Sequence, residues 1–126
     1  MSKQVIMSQN APAPIGPYSQ AVKAGNTLYV SGQIALDPKT GELHMTDIES
    51  ETKWVMNNLL AIIEEAGGSF SNVVKCSIFV KDMNNFAKIN GVYGSYFSDN
   101  PPARETVEVA RLPKDVNVEI SCIAII

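Results

Sequence analysis

Apolar residues of this 126-residue chain follow a helical period in one central segment. Between Asp47 and Gly67 they recur every three or four positions, which is typical of a helix with one buried face. They are Ile48, Val55, Leu59, Ile62 and Ala66. Asp47 is a suitable N-cap, and Gly67-Gly68 is a common helix end. The pattern therefore predicts a helix over residues 47–66.

The remaining apolar segments are mostly short, rich in β-branched residues and bounded by turn residues, which favours strands. A second helix is predicted to begin at Asp82 or Asn84 and to end before Pro101. Strands are predicted over residues 4–8, 20–24, 27–31, 72–81, 104–110 and 116–126, with a hairpin turn at Gly25-Asn26. The order β-β-β-α-β-α-β-β has too few helices for a doubly wound sheet. It favours an α+β fold in which two helices cover one face of the sheet.

The last predicted strand has apolar residues on both of its faces. Val118, Ile120, Cys122 and Ala124 share one face, whereas Ile123 and Ile125 lie on the other. Two helices can cover only one face, so we expect a second copy of the chain to cover the other. The low content of charged residues, 18%, agrees with a homo-oligomer.

Length and charge narrow the class of protein. Residues 1–126 are expected to form a single domain. The net charge is −3, and lysine and arginine form no cluster, which weighs against nucleic-acid binding. The N-terminus has no apolar signal segment, and no run approaches the ~20 apolar residues of a membrane span, so a cytoplasmic location is expected. Two cysteines and one histidine give no metal-ligand spacing, and we expect neither a metal nor a cofactor.

The segment PPARETVEVARLPKD, residues 101–115, contains both arginines of the chain. Arg104 follows a stiff Pro-Pro-Ala sequence, and its planar fork of donors suits a carboxylate. The alternative is a local ion pair with Glu105 or Glu108. Arg111, which precedes a turn, is interpreted as a solvated or interface residue.

Two further polar residues stand in unusual surroundings. Glu119 lies within the apolar strand VNVEISCIAII, where a carboxylate must pair, accept hydrogen bonds or shift its pKa. It is either one half of an interface ion pair or a group that orients or deprotonates water. Tyr18, in the proline-rich segment APAPIGPYSQ, is either a core residue or a pocket donor. No nucleophile elbow or phosphate loop is present.

Five sequence blocks, in order, resemble the YjgF/RidA family. They are IGPYSQA (15–21), LYVSGQI (28–34), DPKTGE (37–42), VKDMNNFAKIN followed by VY (80–93), and PPARETVEVARLPKD (101–115). The resemblance implies a chorismate-mutase-like α+β fold with a mixed six-stranded sheet and two helices on one face. It also implies a homotrimer with pockets at the subunit interfaces.

The resemblance further implies an activity. Deaminase members hydrolyse reactive enamines and imines, such as 2-iminobutanoate and 2-iminopropanoate, to 2-oxo acids and ammonia without a cofactor or metal. By position, the carboxylate-binding arginine is Arg104, the water-positioning glutamate is Glu119 and the pocket tyrosine is Tyr18. Further residues match pocket positions. They are Ser31, Gly32, Asn90 and Phe86.

One position departs from the family pattern. Many members have a cysteine two residues after the arginine, where this chain has Thr106. A thiol nucleophile at this position is therefore excluded, whereas the backbone groups of Thr106 remain available to substrate. The resemblance also leaves two other functions open. One is a non-catalytic ligand-binding regulator of the purine-regulation type, and the other is a ribonuclease that inhibits translation. The acidic charge weighs against the ribonuclease.

Overall fold

A computed structural model describes residues 2–126, which form a six-stranded mixed sheet and two α-helices. The elements are β1 (Lys3–Ile6), β2 (Ala21–Ala24), β3 (Thr27–Gln33), α1 (Ile48–Glu65), β4 (Val73–Val80), α2 (Phe86–Ser95), β5 (Ala103–Glu108) and β6 (Val118–Ile125). Across the sheet the strand order is β1-β2-β3-β6-β4-β5. Neighbouring strands are antiparallel except β4 and β5, which are parallel. The α+β fold class is confirmed.

Local sequence explains where the first helix begins and ends. The Asp47 carboxylate accepts a hydrogen bond of 2.7 Å from the backbone N–H of Ser50, so one free donor of the first turn is satisfied. The chain leaves α1 through Gly67, whose φ of +90° is a conformation that residues with a side chain rarely adopt. The predicted helix over 47–66 therefore corresponds to α1 together with its two caps.

The second helix starts later than the sequence indicated. Asp82 caps a short 3-10 turn over residues 83–85, accepting from the N–H of Asn84, and α2 follows from Phe86. Four strand ends also differ by two residues from those predicted: β1 ends at Ile6 instead of residue 8, β6 begins at Val118 instead of residue 116, and β3 and β5 differ at their C-terminal ends. β3 continues to Gln33, which pairs with Ile120 beyond an irregularity in the ladder, and β5 ends at Glu108. The remaining elements agree with the predicted order.

The core lies between the helices and one face of the sheet, which we call the helix face. On β6 this face carries Val118, Ile120, Cys122 and Ala124, all buried. They share one apolar cluster with residues of α1 that include Leu59 and Ile62. Cys76 and Cys122 are buried free thiols directly opposite each other on β4 and β6.

The opposite face of the sheet, which we call the open face, carries Glu119, Ser121, Ile123 and Ile125 of β6. Apolar side chains on this face remain accessible, since Tyr29 is 52% exposed and Val107 is 42% exposed. An accessible apolar sheet face agrees with the expectation that a second copy covers it. The homotrimer itself and the single-domain organisation stay predictions. No helix in residues 2–126 combines the length and apolar character needed to cross a membrane.

Candidate functional site

Arg104 lies on β5, the edge strand next to β4, and reaches toward α2. Its Nη1 donates a hydrogen bond of 2.6 Å to Asn90 Oδ1. Its Cζ lies 5.1 Å from the ring centroid of Tyr93 and 5.6 Å from that of Phe86, within range of a cation–π interaction. We call these four residues the arginine cluster. The contacts fix the guanidinium through neutral groups.

The charge of Arg104 is not neutralised by the carboxylates next to it in sequence. Glu105 pairs with Lys75 at 3.1 Å and accepts from the Ser77 hydroxyl, which together hold the pKa of Glu105 below its usual value. Glu108 accepts from the N–H of Met83 at 2.9 Å. The local ion-pair interpretation of Arg104 is therefore not what the structure shows. Its free fork is available to an anionic ligand.

An open cavity of about 450 Å³ adjoins the arginine cluster. Pro101 and Pro102 form part of its wall, and their fixed φ angles limit how far this rim can move. Phe97 of the same wall packs on Tyr93 with ring centroids 4.9 Å apart. Arg104 is thus the only cation in the lining of an otherwise neutral cavity.

A second cavity, of about 350 Å³, lies on the open face, and we call it the glutamate pocket. Its lining consists of Ile15, Tyr18, Ser31, Gly32, Ile34, Pro113 and Glu119. Glu119 is on this face because it alternates with the buried Val118 and Ile120. In residues 2–126 its carboxylate meets no cation, and burial raises its pKa above the usual value. A half-buried carboxylate with a raised pKa holds a proton more readily than an exposed one and is suited to proton transfer.

Gly32 allows the Glu119 carboxylate to reach its position. A Cβ at residue 32 would stand 2.8 Å from both Cδ and Oε2 of Glu119, closer than side-chain carbons approach in real structures. Only a residue without a side chain leaves this space free. The glycine therefore sets how closely the carboxylate lies against β3.

Tyr18 is 49% exposed and lines the glutamate pocket, so of the two interpretations the structure supports the pocket residue. Its hydroxyl accepts a hydrogen bond of 3.3 Å from the N–H of Ile15. The Ser31 hydroxyl donates to the carbonyl of Ser19 at 2.6 Å, which ties β3 to the segment that carries Tyr18. Ser31 therefore supports the pocket wall with its proton already engaged.

Thr106 places its side chain in neither cavity. It is in register with Ile78, and its Oγ1 is buried without a hydrogen-bond partner. Because β5 pairs only with β4, alternate backbone groups of β5 remain free at the edge of the sheet. Backbone contact between Thr106 and a ligand stays a prediction.

The candidate residues form two separate groups. Arg104, Asn90 and Phe86 lie on the helix side of the sheet, whereas Tyr18, Ser31, Gly32 and Glu119 lie on the open face. The single layer of the β-sheet separates the two groups. The structure of a single chain therefore does not bring Arg104 and Glu119 together.

Several residues of these groups were not predicted. Tyr93 follows Phe86 by seven positions and Asn90 by three, a spacing that places all three on one face of the helix and that the sequence itself contains. Ile15, Ile34 and Pro113 of the glutamate pocket come from three segments and share no sequence pattern.

His44 lies apart from both groups. Its ring stacks on Trp54 with centroids 4.1 Å apart, and its Nε2 is 3.1 Å from Asp37 Oδ2. His44 is thus held by local contacts outside the helices and strands. Across residues 2–126, no three His, Cys, Asp or Glu side chains come together as they would to hold a metal ion.

A sequence profile described as Endoribonuclease L-PSP matches residues 8–126, and the chain belongs to this family, which confirms the resemblance to YjgF/RidA proteins. A RutC family protein of Pyrococcus horikoshii is 57% identical, with 97% of each chain covered. The 2-iminobutanoate/2-iminopropanoate deaminase of Escherichia coli is 48% identical, with 99% of this chain and 98% of that protein covered. The crystal structure of Escherichia coli TdcF with bound serine is similar at a TM-score of 0.94 and 41% identity, with 98% of each chain covered.

Proposed function

We propose that this protein hydrolyses 2-imino acids and their enamine tautomers, with 2-iminobutanoate and 2-iminopropanoate as substrates, to 2-oxo acids and ammonia. The proposal depends on two charged side chains that have no oppositely charged partner within residues 2–126. Arg104 is a fixed, free guanidinium, and Glu119 is a half-buried free carboxylate. A carboxylate-bearing imine that must be attacked by water needs one of each.

The active site is proposed to combine the arginine cluster of one copy with the glutamate pocket of another. The two groups lie on opposite faces of one sheet, and the accessible apolar residues of the open face favour packing of a second copy there. Joining a helix-side group to an open-face group is a heterologous contact, which forms a ring when the rotation between copies closes. A homotrimer with interface sites is such a ring.

In this site the substrate carboxylate binds the Arg104 fork. Asn90 and the rings of Phe86 and Tyr93 hold the plane of the guanidinium, so little side-chain freedom is lost when the ligand binds. Backbone groups of β5 at Thr106 are free to hold the same carboxylate. The imine carbon, activated by protonation of its nitrogen, is then placed toward the glutamate pocket.

Glu119 acts as general base in the hydrolysis. It takes a proton from water while the water oxygen forms a bond to the imine carbon, which gives a tetrahedral carbinolamine. Glu119 returns this proton to the nitrogen and then takes up the hydroxyl proton, the carbon–nitrogen bond breaks, and ammonia leaves as the carbonyl of the 2-oxo acid forms. Tyr18 contributes a hydroxyl at the pocket wall. No step requires a thiol, a metal or a cofactor.

Similarity to proteins with related names supports the substrate class. A relative at 48% identity is named as a 2-iminobutanoate/2-iminopropanoate deaminase, and a structure at 41% identity holds serine, a small amino acid with a carboxylate. A cytoplasmic location is part of the proposal, since the reactive imines arise there from dehydratases that act on threonine and serine.

The test couples the protein to a threonine dehydratase and follows the release of 2-oxobutanoate. Wild type should accelerate release, and both Arg104→Lys and Glu119→Gln should lose most of the acceleration. Lysine retains the charge but not the fork. Equal acceleration by wild type and Arg104→Ala would contradict the assigned role.

Mixing two inactive variants tests the shared site. After Arg104→Ala and Glu119→Gln are unfolded and refolded together, about one quarter of the sites join an intact Arg104 to an intact Glu119. About a quarter of wild-type activity should therefore return. No recovery in particles that contain both variants would refute a site built from two chains.

The proposed homotrimer is tested separately by light scattering of the wild-type protein. The measured particle mass should be three times the chain mass of 13.7 kDa.

A further inference from the structure

Residues 9–18, which we call the strap, form one wall of the glutamate pocket without regular secondary structure. Three prolines in the strap lack a backbone N–H, so a sheet ladder cannot hold it. Two of its side chains line the pocket, Ile15 and Tyr18, and they are 61% and 49% exposed. Such a wall must be fixed from elsewhere in the chain.

The side-chain amide of Gln20 fixes the strap. Gln20 is 1% exposed. Its Oε1 accepts from the N–H of Ser8 at 2.6 Å, and its Nε2 lies 3.0, 3.3 and 2.8 Å from the carbonyls of Ser8, Ala11 and Pro12. In the described chain, the hydrogen bonds that join residues 11–18 to the rest of the protein are those from Nε2 to Ala11 and Pro12.

The backbone of Gln20 is joined to the other wall of the pocket. Its carbonyl accepts from the N–H of Ser31 at 2.9 Å, and Ser31 and Gly32 of β3 line the pocket beside Glu119. One residue thus connects the strap with the strand against which Glu119 packs. Loss of the amide bonds would free the strap along residues 11–17, while this strand pairing and the bond from the Ser31 hydroxyl to the carbonyl of Ser19, just after Tyr18, would stay in place.

We propose that Gln20 is a positioning residue for the reaction: its amide holds the strap so that Tyr18 and Ile15 face Glu119. The inference rests on the proposed function for its effect on catalysis. The arrangement requires an amide, since one atom must accept and the other must donate to carbonyls. An ionised glutamate has no donor and would bring its charge against three carbonyl oxygens. A protonated glutamate has one O–H and restores part of the arrangement.

In the variant Gln20→Glu, the position of the strap should therefore depend on pH. At pH 8 we expect kcat/KM for the imine to fall by about 10- to 100-fold, because misplacement of about 1 Å has an effect of this size. The ratio of variant to wild-type activity should rise as the pH is lowered toward 5. Protonation of Glu119 lowers both activities together, so it does not produce this rise.

Amide hydrogen exchange provides a measurement that is independent of catalysis. In Gln20→Glu at pH 8, exchange should increase in the strap and not in β3 or β6. The matched control is Gln33→Glu, another buried glutamine, whose Nε2 donates to the Ser31 carbonyl at 3.1 Å and makes no bond to the strap. It should leave exchange in the strap at the wild-type level.

The outcomes separate the two proposals. Wild-type protection of the strap in Gln20→Glu, or an activity ratio that does not change with pH, overturns the positioning role. If Gln20→Glu fails to fold, Gln20→Met keeps the volume without charge, and the same exchange measurement decides. If wild type hydrolyses no imine, the proposed function fails, and the role of Gln20 in holding the strap is judged by exchange alone.

Discussion

Replacing Gly32 with alanine should impair catalysis without unfolding the protein. The new Cβ would lie 2.8 Å from Cδ and Oε2 of Glu119, whereas ordinary contact begins at 3.4 Å. The carboxylate must therefore move by about 0.6 Å to restore ordinary contact. The atoms that must move are the end of a flexible side chain at a cavity, so they yield more readily than the backbone of β3 does.

The expected losses differ strongly between activity and stability. Displacement of a catalytic group by about 1 Å costs on the order of 100-fold, so about 10- to 100-fold in kcat/KM is expected here. This corresponds to about 1.4–2.7 kcal/mol of transition-state stabilisation. Alanine also restricts the unfolded chain more than glycine does, which offsets part of the crowding. We expect the free energy of unfolding to change by less than about 1 kcal/mol.

The assay combines imine hydrolysis with chemical unfolding of the same preparation. Gly91→Ala is the matched control, since a Cβ at this exposed position of α2 meets no atom within 4 Å. It should retain wild-type kcat/KM and gain about 0.5–1 kcal/mol of stability from better helix propensity. Wild-type kcat/KM in Gly32→Ala would refute the argument that the Glu119 carboxylate must occupy this position.

Three further predictions concern buried polar groups. Asn58→Asp should lower the free energy of unfolding at pH 7 by roughly 3 kcal/mol, because a buried carboxylate would face the carbonyls of Ile34 and Leu36 that now accept from the amide. Unfolding in guanidinium measures this change, and a stability equal to wild type would contradict it. Tyr93→Phe should retain activity and stability. The ring contacts Arg104, and the hydroxyl, which lies near the Cys76 thiol, has no nitrogen or oxygen partner in residues 2–126; a large loss of kcat/KM would assign that hydroxyl a role. Burial raises the pKa of the Cys76 thiol above its usual 9.0, so at pH 8 a thiol reagent should react with Cys76 only when the protein unfolds. Rapid labelling of the native protein would contradict this by showing that the thiol is accessible.

The order and type of the elements followed from the sequence because each carries a local signal. The helical period with its Asp47 cap predicted α1, and the turn at Gly25 predicted the hairpin of β2 and β3. The start of α2 was less certain because Asp82 caps a 3-10 turn before the helix, and both kinds of turn use the same N-cap residues. The pairing of β6 between β3 and β4 depends on contacts distant in sequence, which no short pattern contains.

The residue types of the candidate site were more predictable than their arrangement. Arg104 and Glu119 attracted attention because each is a charge in an apolar or rigid setting, and the family resemblance supplied the roles proposed for them. Strand alternation alone could not place them on opposite sides of the sheet, since they lie on different strands and the β4–β5 and β4–β6 registers relate them. The close approach of Gly32 to Glu119 likewise depends on two strands distant in sequence, at the irregularity of the β3–β6 ladder between Val30 and Gln33.

The division of the site between two faces has a physical basis in the fold. The helix face is filled by α1 and α2, and the cavity beside Arg104 lies where the sheet edge at β5 meets α2. The open face has no helix, and there the strap and β3 surround Glu119. Each charge then keeps contact with solvent in the single chain, which avoids the cost of burying an unpaired ion. In the proposed enzyme, water is excluded from both groups only when two copies pack together. The low-dielectric environment that strengthens the contact between the substrate carboxylate and the Arg104 guanidinium therefore arises from assembly.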